Sequence, residues 1–132
     1  MSIPGFWLLH SGFLLMKKTP EDIGKEDGRY APAAFRFVYE GLGYTVKKTS
    51  EQPKHVTGQV LCEGLRQFAL ERWGRLAVLV LTSWGIRTTR DFGQIVYTLI
   101  KHEWMSAQPG DSVDDFNDVY DFQTALKDRF EF

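Results

Sequence analysis

Hydrophobic residues in the first half of the chain recur with the period of a helix. The pattern predicts one helix over about 32–48, with Pro32 in its first turn. A second helix is predicted over about 58–73, with Thr57 as its N-cap and Gly74 as its stop. The residues expected on the buried face of the second helix are Leu61, Leu65, Phe68 and Ala69.

A run of six apolar residues at 76–81 is ambiguous, because a buried strand and a buried helix fit it equally well. We predict a short helix over 75–84, since two Trp-Gly pairs, at Trp73 and at Trp84, stand eleven residues apart. That distance equals about three helical turns, and each pair is typical of a helix end. The pattern by itself leaves residues 76–82 open between helix and strand.

The clearest helical pattern covers residues 89–103. The apolar residues that recur there with helical spacing are Phe92, Ile95, Val96, Leu99 and Ile100. Thr88 is placed to cap this helix, and Asp91 three residues later favours its positive end. We expect Phe92 and Leu99 to be buried in the core.

The C-terminal third carries turn signals. Residues 104–106 and 119–122 flank the turn residues at 109–111, which favours a small β-hairpin, and a last short helix is predicted over 123–129. The predicted fold is therefore mainly α with a small β-hairpin. It has four to five helices, and its C-terminal half has the helix–turn–helix–wing order of a winged-helix domain.

The first sixteen residues are rich in apolar side chains but are too short and interrupted for a membrane span, which needs about 20. No Lys or Arg precedes the apolar stretch, as a secretory signal requires. We interpret residues 1–15 as a segment outside the domain: a wrongly assigned start before Met16, a peripheral packed or partner-binding segment, or an export signal. Residues 16–132 are predicted to form a single globular domain.

Composition excludes several classes of protein. A chain of 132 residues that is 43% hydrophobic and 25% charged is not disordered, and its one cysteine excludes a disulfide-framed scaffold. The formal net charge of −1 conceals a division. Residues 31–101 carry a net charge of +5 and residues 102–132 a net charge of −6. We expect a cytoplasmic globular protein without a membrane partner.

The sequence shows no catalytic constellation, and we predict a protein without enzymatic activity, cofactor or metal. Cys62 lies in the middle of a predicted helix, with His55 seven residues upstream and no third orienting group visible. A structural cysteine is the favoured interpretation. The aspartates between 111 and 118 lack the ligand spacing of a calcium loop, and no phosphate-binding loop is present.

Two function hypotheses remain. The first is a cytoplasmic protein-interaction module that docks a partner through aromatic anchors and carboxylates of the acidic segment. Its candidate residues are Asp114, Asp115, Phe116, Tyr120, Asp121 and Phe122. The more ordinary alternative for this segment is that the aromatic rings fold back onto the core while the carboxylates stay in water.

The second hypothesis is a nucleic-acid-binding winged-helix regulator that uses the polar face of helix 89–103. Its candidate residues are Arg87, Arg90, Gln94 and Lys101. The aspartates of the predicted wing disfavour this hypothesis, because they would approach a polyanion.

Several motifs follow one another in a fixed order and spacing along the chain. They are Arg29-Tyr30, Tyr44-Thr45-Val46-Lys47-Lys48, His55-Val56-Thr57-Gly58-Gln59, Trp84-Gly85-Ile86, Thr88 with Asp91-Phe92-Gly93, and Tyr120-Asp121-Phe122. In these motifs the chain resembles a small uncharacterised conserved family that is largely restricted to planctomycetes and verrucomicrobia. The resemblance covers most of residues 25–125 and omits residues 1–15, which favours Met16 as the start. It implies no activity, cofactor or partner.

Overall fold

The computed structural model describes residues 1–2, 18–48 and 55–126. The α-helices of this part are α1 (Pro20–Asp27), α2 (Pro32–Lys48), α3 (Gly58–Trp73), α4 (Ala77–Ser83), α5 (Thr89–Lys101) and α6 (Phe122–Ala125). Two 3-10 turns complete the order, Gly74–Leu76 before α4 and Val113–Phe116 before α6. The mainly helical fold that the sequence predicts is therefore confirmed.

Helices α2 and α3 begin and end where the hydrophobic pattern places them. The Thr57 hydroxyl accepts a hydrogen bond from the Val60 amide at 3.1 Å, and this contact fixes the start of α3. At the other end Gly74 has a φ of 53°, a left-handed value that favours glycine and ends the helix. Both boundaries depend on short-range contacts, which explains why the sequence predicts them.

Helix α1 is an element that the sequence analysis missed. Pro20 is its first residue, and Thr19 and Asp22 form a reciprocal capping box at its start. Its face carries one large buried aliphatic residue, Ile23, so the hydrophobic pattern alone is weak there. The capping box is the signal that could have found it.

The ambiguous apolar run is helical, and the predicted short helix is confirmed. A 3-10 turn over Gly74–Leu76 leads directly into α4. Six consecutive apolar residues cannot all face inward on a helix, so α4 buries Ala77 and Leu81 and leaves Leu79 64% exposed.

Helix α5 is confirmed over residues 89–101, two residues shorter than predicted. The Asp91 carboxylate accepts hydrogen bonds from the Thr88 amide at 3.0 Å and the Arg87 amide at 2.8 Å. Phe92 and Leu99 are fully buried, as expected from the spacing.

The predicted β-hairpin, and with it the winged-helix-like C-terminal half, is wrong. In the described region from 104 to 126 the chain forms a 3-10 turn over Val113–Phe116 and the short helix α6. Ser112 and Asp115 cap the 3-10 turn reciprocally, and the Asp121 carboxylate accepts from the Thr124 amide at 3.1 Å to start α6. Aspartate and serine stabilise such turns and disfavour strands, which explains the error. The last helix starts one residue earlier than predicted and ends at Ala125, and the predicted residues 127–129 lie outside the described part of the chain.

The core lies where α2, α3 and α5 meet the 3-10 turn at 113–116. The turn inserts Phe116, which is fully buried, against Gly58 of α3 and Gly93 of α5. A Cβ at Gly93 would come within 2.8 Å of the Phe116 ring, so a side chain there would displace it. This ring joins the acidic segment to the helical core.

The two described N-terminal residues contact this fold. The Met1 nitrogen donates to the Val56 carbonyl at 2.8 Å and to the Asp111 carboxylate at 3.0 Å. Ser2 forms an isolated antiparallel bridge with Ser106. The predictions for residues 3–15 and for Met16 fall outside the described residues. Among those described, no helix combines the length and the apolar character needed to cross a membrane.

Candidate protein-interaction surface

The carboxylates predicted to dock a partner make contacts within the fold. Asp115 accepts from the Ser112 amide at 3.0 Å, and Asp121 caps α6. Asp114, whose side chain is 74% exposed, forms an ion pair with Arg90 at 3.0 Å. In this conformation two of the three carboxylates hold local turns, and the third faces solvent.

The predicted aromatic anchors fold back onto the core. Phe116 and Phe122 are 0% and 4% exposed, and the Phe122 ring lies 5.6 Å from that of Phe92. The Tyr120 hydroxyl donates a hydrogen bond of 2.7 Å to the Cys62 carbonyl. These three rings hold the C-terminal segment against α3 and α5 and do not offer their faces to a partner.

The polar face of α5, which the alternative hypothesis assigns to nucleic acid, is largely engaged. Arg90 donates to Asp114 at 3.0 Å and to Asn117 at 2.6 Å. Gln94 accepts from Arg29 at 3.2 Å. Arg87 and Lys101 are exposed, but Arg87 precedes the N-cap of α5 and Lys101 is its last residue, and a helix of 13 residues is about 20 Å long.

Cys62 and His55, weighed above as a catalytic pair, lie in different surroundings. Cys62 is fully buried on α3, and burial raises the pKa of its thiol to about 12. His55 is exposed, with its Nε2 atom 3.4 Å from the Gln108 side-chain nitrogen. No hydrogen bond joins the two side chains, and no group of three or more potential metal ligands occurs in the described ranges.

The outer face of α4 carries the most exposed large hydrophobic side chains of the described residues. Leu76 is 59% and Leu79 is 64% exposed, against 39% for Val60 at the start of α3. Their spacing of three residues puts both leucines on one side of the turn and helix. Helix α4 packs mainly on α3 and the preceding 3-10 turn, so its other side stays uncovered within this part of the chain.

A row of aromatic rings leads from α2 across α3 to the end of α4. Ring centroids are 4.9 Å apart for Tyr44 and Phe68, and 5.4 Å apart for Trp73 and Trp84. Phe37, which is 2% exposed, lies beneath and joins the two pairs, 5.2 Å from both Phe68 and Trp73. The other four rings, those of Tyr44, Phe68, Trp73 and Trp84, are half-buried. We define the aromatic–leucine surface as Tyr44, Phe68, Trp73, Leu76, Leu79 and Trp84.

Basic side chains lie over this surface. The Arg72 guanidinium is 5.4 Å from the Phe68 ring centre and 5.2 Å from that of Trp73. The Lys48 ammonium is 5.3 Å from the Tyr44 ring centre. Two carboxylates contact these cations: Glu40 accepts from Arg72 at 3.3 Å, and Glu71 lies 3.9 Å from Lys48.

Sequence reasoning missed this surface although the signal was present. Six apolar residues in succession on a helix must place some of them outward, so the 76–81 run implied exposed leucines once it was taken as a helix. The aromatic row could not be predicted from the sequence, because its rings come from three different helices.

Comparisons with known proteins assign no family to the chain. No protein-family model matches it, and neither a curated protein nor a solved structure does. The family resemblance of the sequence motifs therefore stays a prediction.

Proposed function

We propose that the protein is a small, non-enzymatic protein-interaction module of the cytoplasm that binds an amphipathic helix of a partner protein on the aromatic–leucine surface. The observation that carries the proposal is the exposure of Leu76 and Leu79, at 59% and 64%. Two exposed leucines one helical turn apart form an apolar patch, and such patches mark binding sites.

The composition of the surface supports a protein partner. Trp, Tyr and Arg are the residues that contribute most to protein-binding energy, and Trp73, Tyr44 and Arg72 are all present here. Rigid aromatic rings lose little conformational entropy on binding, because their packing already fixes them.

An amphipathic helix fits the layout of the surface. Leucines at a spacing of three residues offer the short ridge against which a second helix packs. Helices that dock in this way present apolar anchors at helical spacing over two or more turns.

Nucleic-acid binding through Arg87, Arg90, Gln94 and Lys101 has weaker support. Arg90 and Gln94 already have partners within the fold, and Asp114 stands beside Arg90. A phosphate backbone would have to displace the aspartate and its charge.

The test compares two substitutions that remove exposed apolar atoms at different places. The double variant Leu76→Gln with Leu79→Gln alters the surface, and Val60→Gln alters an exposed site at the far end of α3. Each is expressed in the native cells, the lysate is treated with nuclease, and a protein retained by the parent chain is purified. We expect the double variant to bind that protein at least about tenfold more weakly, and Val60→Gln to bind it unchanged.

The proposal is wrong if the two variants retain every partner equally well, or if nuclease removes all retained material. Unfolding free energies serve as the control for folding. Both variants are expected to stay within about 0.5 kcal/mol of the parent, since the side chains are exposed.

A further inference from the structure

We infer that the partner helix lies on an uncharged stripe of α4 and contacts it through apolar, uncharged side chains alone. The inference rests on the proposed function and specifies the chemistry of the partner's contacting face. Its basis is the exposure, the charge and the hydrogen bonds of four residues, which we call the α4 stripe: Leu76, Leu79, Val80 and Ser83.

The α4 stripe follows one side of the helix. Its other three members come three, four and seven positions after Leu76, which is the spacing of a single helical face. Leu76 is the last residue of the 3-10 turn that leads directly into α4. Three of the four residues are exposed and Val80 is half-buried, whereas the buried residues of the helix, Ala77 and Leu81, do not share this spacing. The stripe is therefore the solvent-facing side of α4 within the described part of the chain.

The α4 stripe carries no charge. From Leu76 to Ile86 the sequence contains no Asp, Glu, Lys or Arg. Arg75, directly before the stripe, already has an interaction within the fold, and Arg87 lies four residues beyond the end of α4. A charged partner side chain buried on the stripe would lose its water without meeting an opposite charge there, which is costly. An uncharged contacting face avoids that cost.

The hydroxyl groups near the end of α4 are already used by the helix itself. The Ser83 hydroxyl donates to the Val80 carbonyl at 2.6 Å, and the Thr82 hydroxyl donates to the Val78 carbonyl at 2.8 Å. The Val80 carbonyl also accepts from the Trp84 amide at 3.2 Å. An apolar face can therefore cover this end of the helix without leaving these donors unpaired.

The arrangement of side chains on the stripe suits a second helix. It contains two rows of residues four positions apart, Leu76 with Val80 and Leu79 with Ser83. The groove between two such rows receives the corresponding row of another helix. Removal of apolar surface from water then supplies the binding energy, and moderate changes in salt have little effect on a contact without charges.

A membrane interface is the other apolar phase that could cover exposed leucines. Helices that lie in the interface combine a long apolar face with Lys and Arg on their polar face. Helix α4 has seven residues and no charge, and its opposite side is occupied by the core contacts of Ala77 and Leu81. These features favour a protein helix over a lipid surface.

The test uses three fluorescent peptides of about 18 residues, which is about five helical turns. All carry leucines at helical spacing on one face and equal numbers of Glu and Lys on the other. They differ only at one central position of the leucine face, which is Leu, Glu or Lys. Anisotropy is measured against the full-length protein. We expect the Leu peptide to bind at least about tenfold more tightly than either charged peptide, with its affinity changing less than about twofold between low and high salt.

Substitutions at Ser83 test the stripe from the side of the protein. Ser83→Glu and Ser83→Lys should each weaken binding of the Leu peptide about tenfold, because both signs of charge are unpaired in the contact. Ser83→Ala keeps the site small and uncharged and should bind within about twofold of the parent. The matched controls, Gln59→Glu and Gln59→Lys, place the same charges at an exposed position of α3 and should leave binding unchanged. Urea titration checks folding, and lysine suits a helix C-terminus, so Ser83→Lys is expected to fold.

Each other outcome has a distinct meaning. A charged peptide that binds more tightly than the Leu peptide, or weakening by one sign of charge at Ser83 and not the other, overturns the inference. The proposed function then stands if Leu76→Gln with Leu79→Gln still weakens binding. Binding of no peptide, retention of the protein by phosphatidylserine vesicles, or a dimer of the chain alone that Ser83→Lys dissociates also overturns the inference. Binding of the Leu peptide that the double leucine variant does not weaken contradicts both the inference and the proposed function.

Discussion

Gly64 shows at the residue scale how closely the two longest helices approach. A Cβ at this position of α3 would lie 1.9 Å from the Thr45 hydroxyl oxygen on α2 and 2.8 Å from its methyl carbon. Because Thr45 is itself buried and its hydroxyl bonds the Gly41 carbonyl at 2.7 Å, it has little freedom to move aside.

We therefore expect Gly64→Ala to lower the free energy of unfolding by about 1–3 kcal/mol, although alanine is the better helix former. Urea titration of the variant measures this directly. The matched control is Gln59→Ala on the exposed side of the same helix, which should be close to neutral. An increase in stability for Gly64→Ala would contradict the close packing of α2 on α3.

Leu99 tests the core that the sequence predicts for α5. It is fully buried, so Leu99→Ala removes atoms and leaves a cavity. The expected loss of unfolding free energy is about 2–5 kcal/mol, while Lys101→Ala on the exposed end of α5 should change it by less than about 0.5 kcal/mol. Similar values for the two variants would show that Leu99 does not belong to the core.

Cys62 provides a residue-scale test that also addresses catalysis. Burial raises the pKa of its thiol to about 12, so the reactive thiolate is scarce at neutral pH in the folded state. We expect a thiol reagent to label Cys62 only as the protein unfolds, with the labelled fraction following the urea transition. Rapid stoichiometric labelling of the folded protein would contradict the burial and revive a nucleophilic role.

Whether a feature of a single residue can be predicted from the sequence depends on how far along the chain its contacts lie. The caps at Thr57 and Thr88 could be predicted, because the groups they bond lie within four residues along the chain. The burial of Phe116 agrees with the more ordinary alternative for the acidic segment, but its place in the core could not be predicted, since it depends on missing side chains at Gly58 and Gly93 of two other helices. The same limit applies to the aromatic row, in which Phe37 links rings from α3 and α4.

At the scale of elements, periodicity predicted helices where it was strong and failed where turn chemistry decides. Helices α2, α3 and α5 each carry several turns of amphipathic pattern. The region from 104 to 122 has little pattern, and its capped turn at Val113–Phe116 was taken for part of a hairpin. Proline, glycine and aspartate are common both in hairpin turns and in capped 3-10 turns, so they do not distinguish the two structures.

A side-chain contact that the sequence did not reveal links the start of α5 to Tyr30. The Tyr30 hydroxyl donates a hydrogen bond of 2.6 Å to the Asp91 carboxylate, which also accepts from the amides of Arg87 and Thr88. Partial burial, followed by this hydrogen bond, raises the pKa of Tyr30. The contact links the loop before α2 to the N-terminus of α5.

Tyr30→Phe should lower the free energy of unfolding by about 1.5–3 kcal/mol at neutral pH, since a hydrogen bond to a charged group is lost. Because the pKa is raised in the folded state, the stabilisation by Tyr30 is complete below its ordinary pKa of about 10 and is lost as the pH rises above it. Urea titrations between neutral pH and pH 11 measure both effects. The variant should lose stability less steeply than the parent over the alkaline range, and parallel curves would contradict the assignment.

At the scale of the whole molecule, the attraction between the basic middle and the acidic C-terminal segment contributes little to the stability of the fold. The basic middle and the acidic C-terminal segment are joined in the described structure by the Arg90–Asp114 ion pair, whose side chains are 42% and 74% exposed. Exposed pairs of this kind contribute about 0–1 kcal/mol. The segment is held instead by the buried rings of Phe116 and Phe122.

The candidate interaction site therefore lies in the basic middle of the chain and not in the acidic segment. The aromatic residues first considered as anchors hold the core together, whereas Leu76 and Leu79 face solvent. The sequence could predict a helix there and could imply outward leucines. It could not predict the contact between the rings of Tyr44 and Phe68, because that proximity comes from the packing of α2 on α3.

Photo-crosslinking tests most directly whether α4 carries a protein-interaction surface. A photo-crosslinking amino acid replaces Leu79 in the cells that make the protein, and the same replacement at Val60 is the control. We predict one discrete protein adduct from position 79 that resists nuclease and is absent from position 60. No adduct from position 79, the same adducts from both positions, or adducts that nuclease removes would contradict a protein-interaction surface on α4.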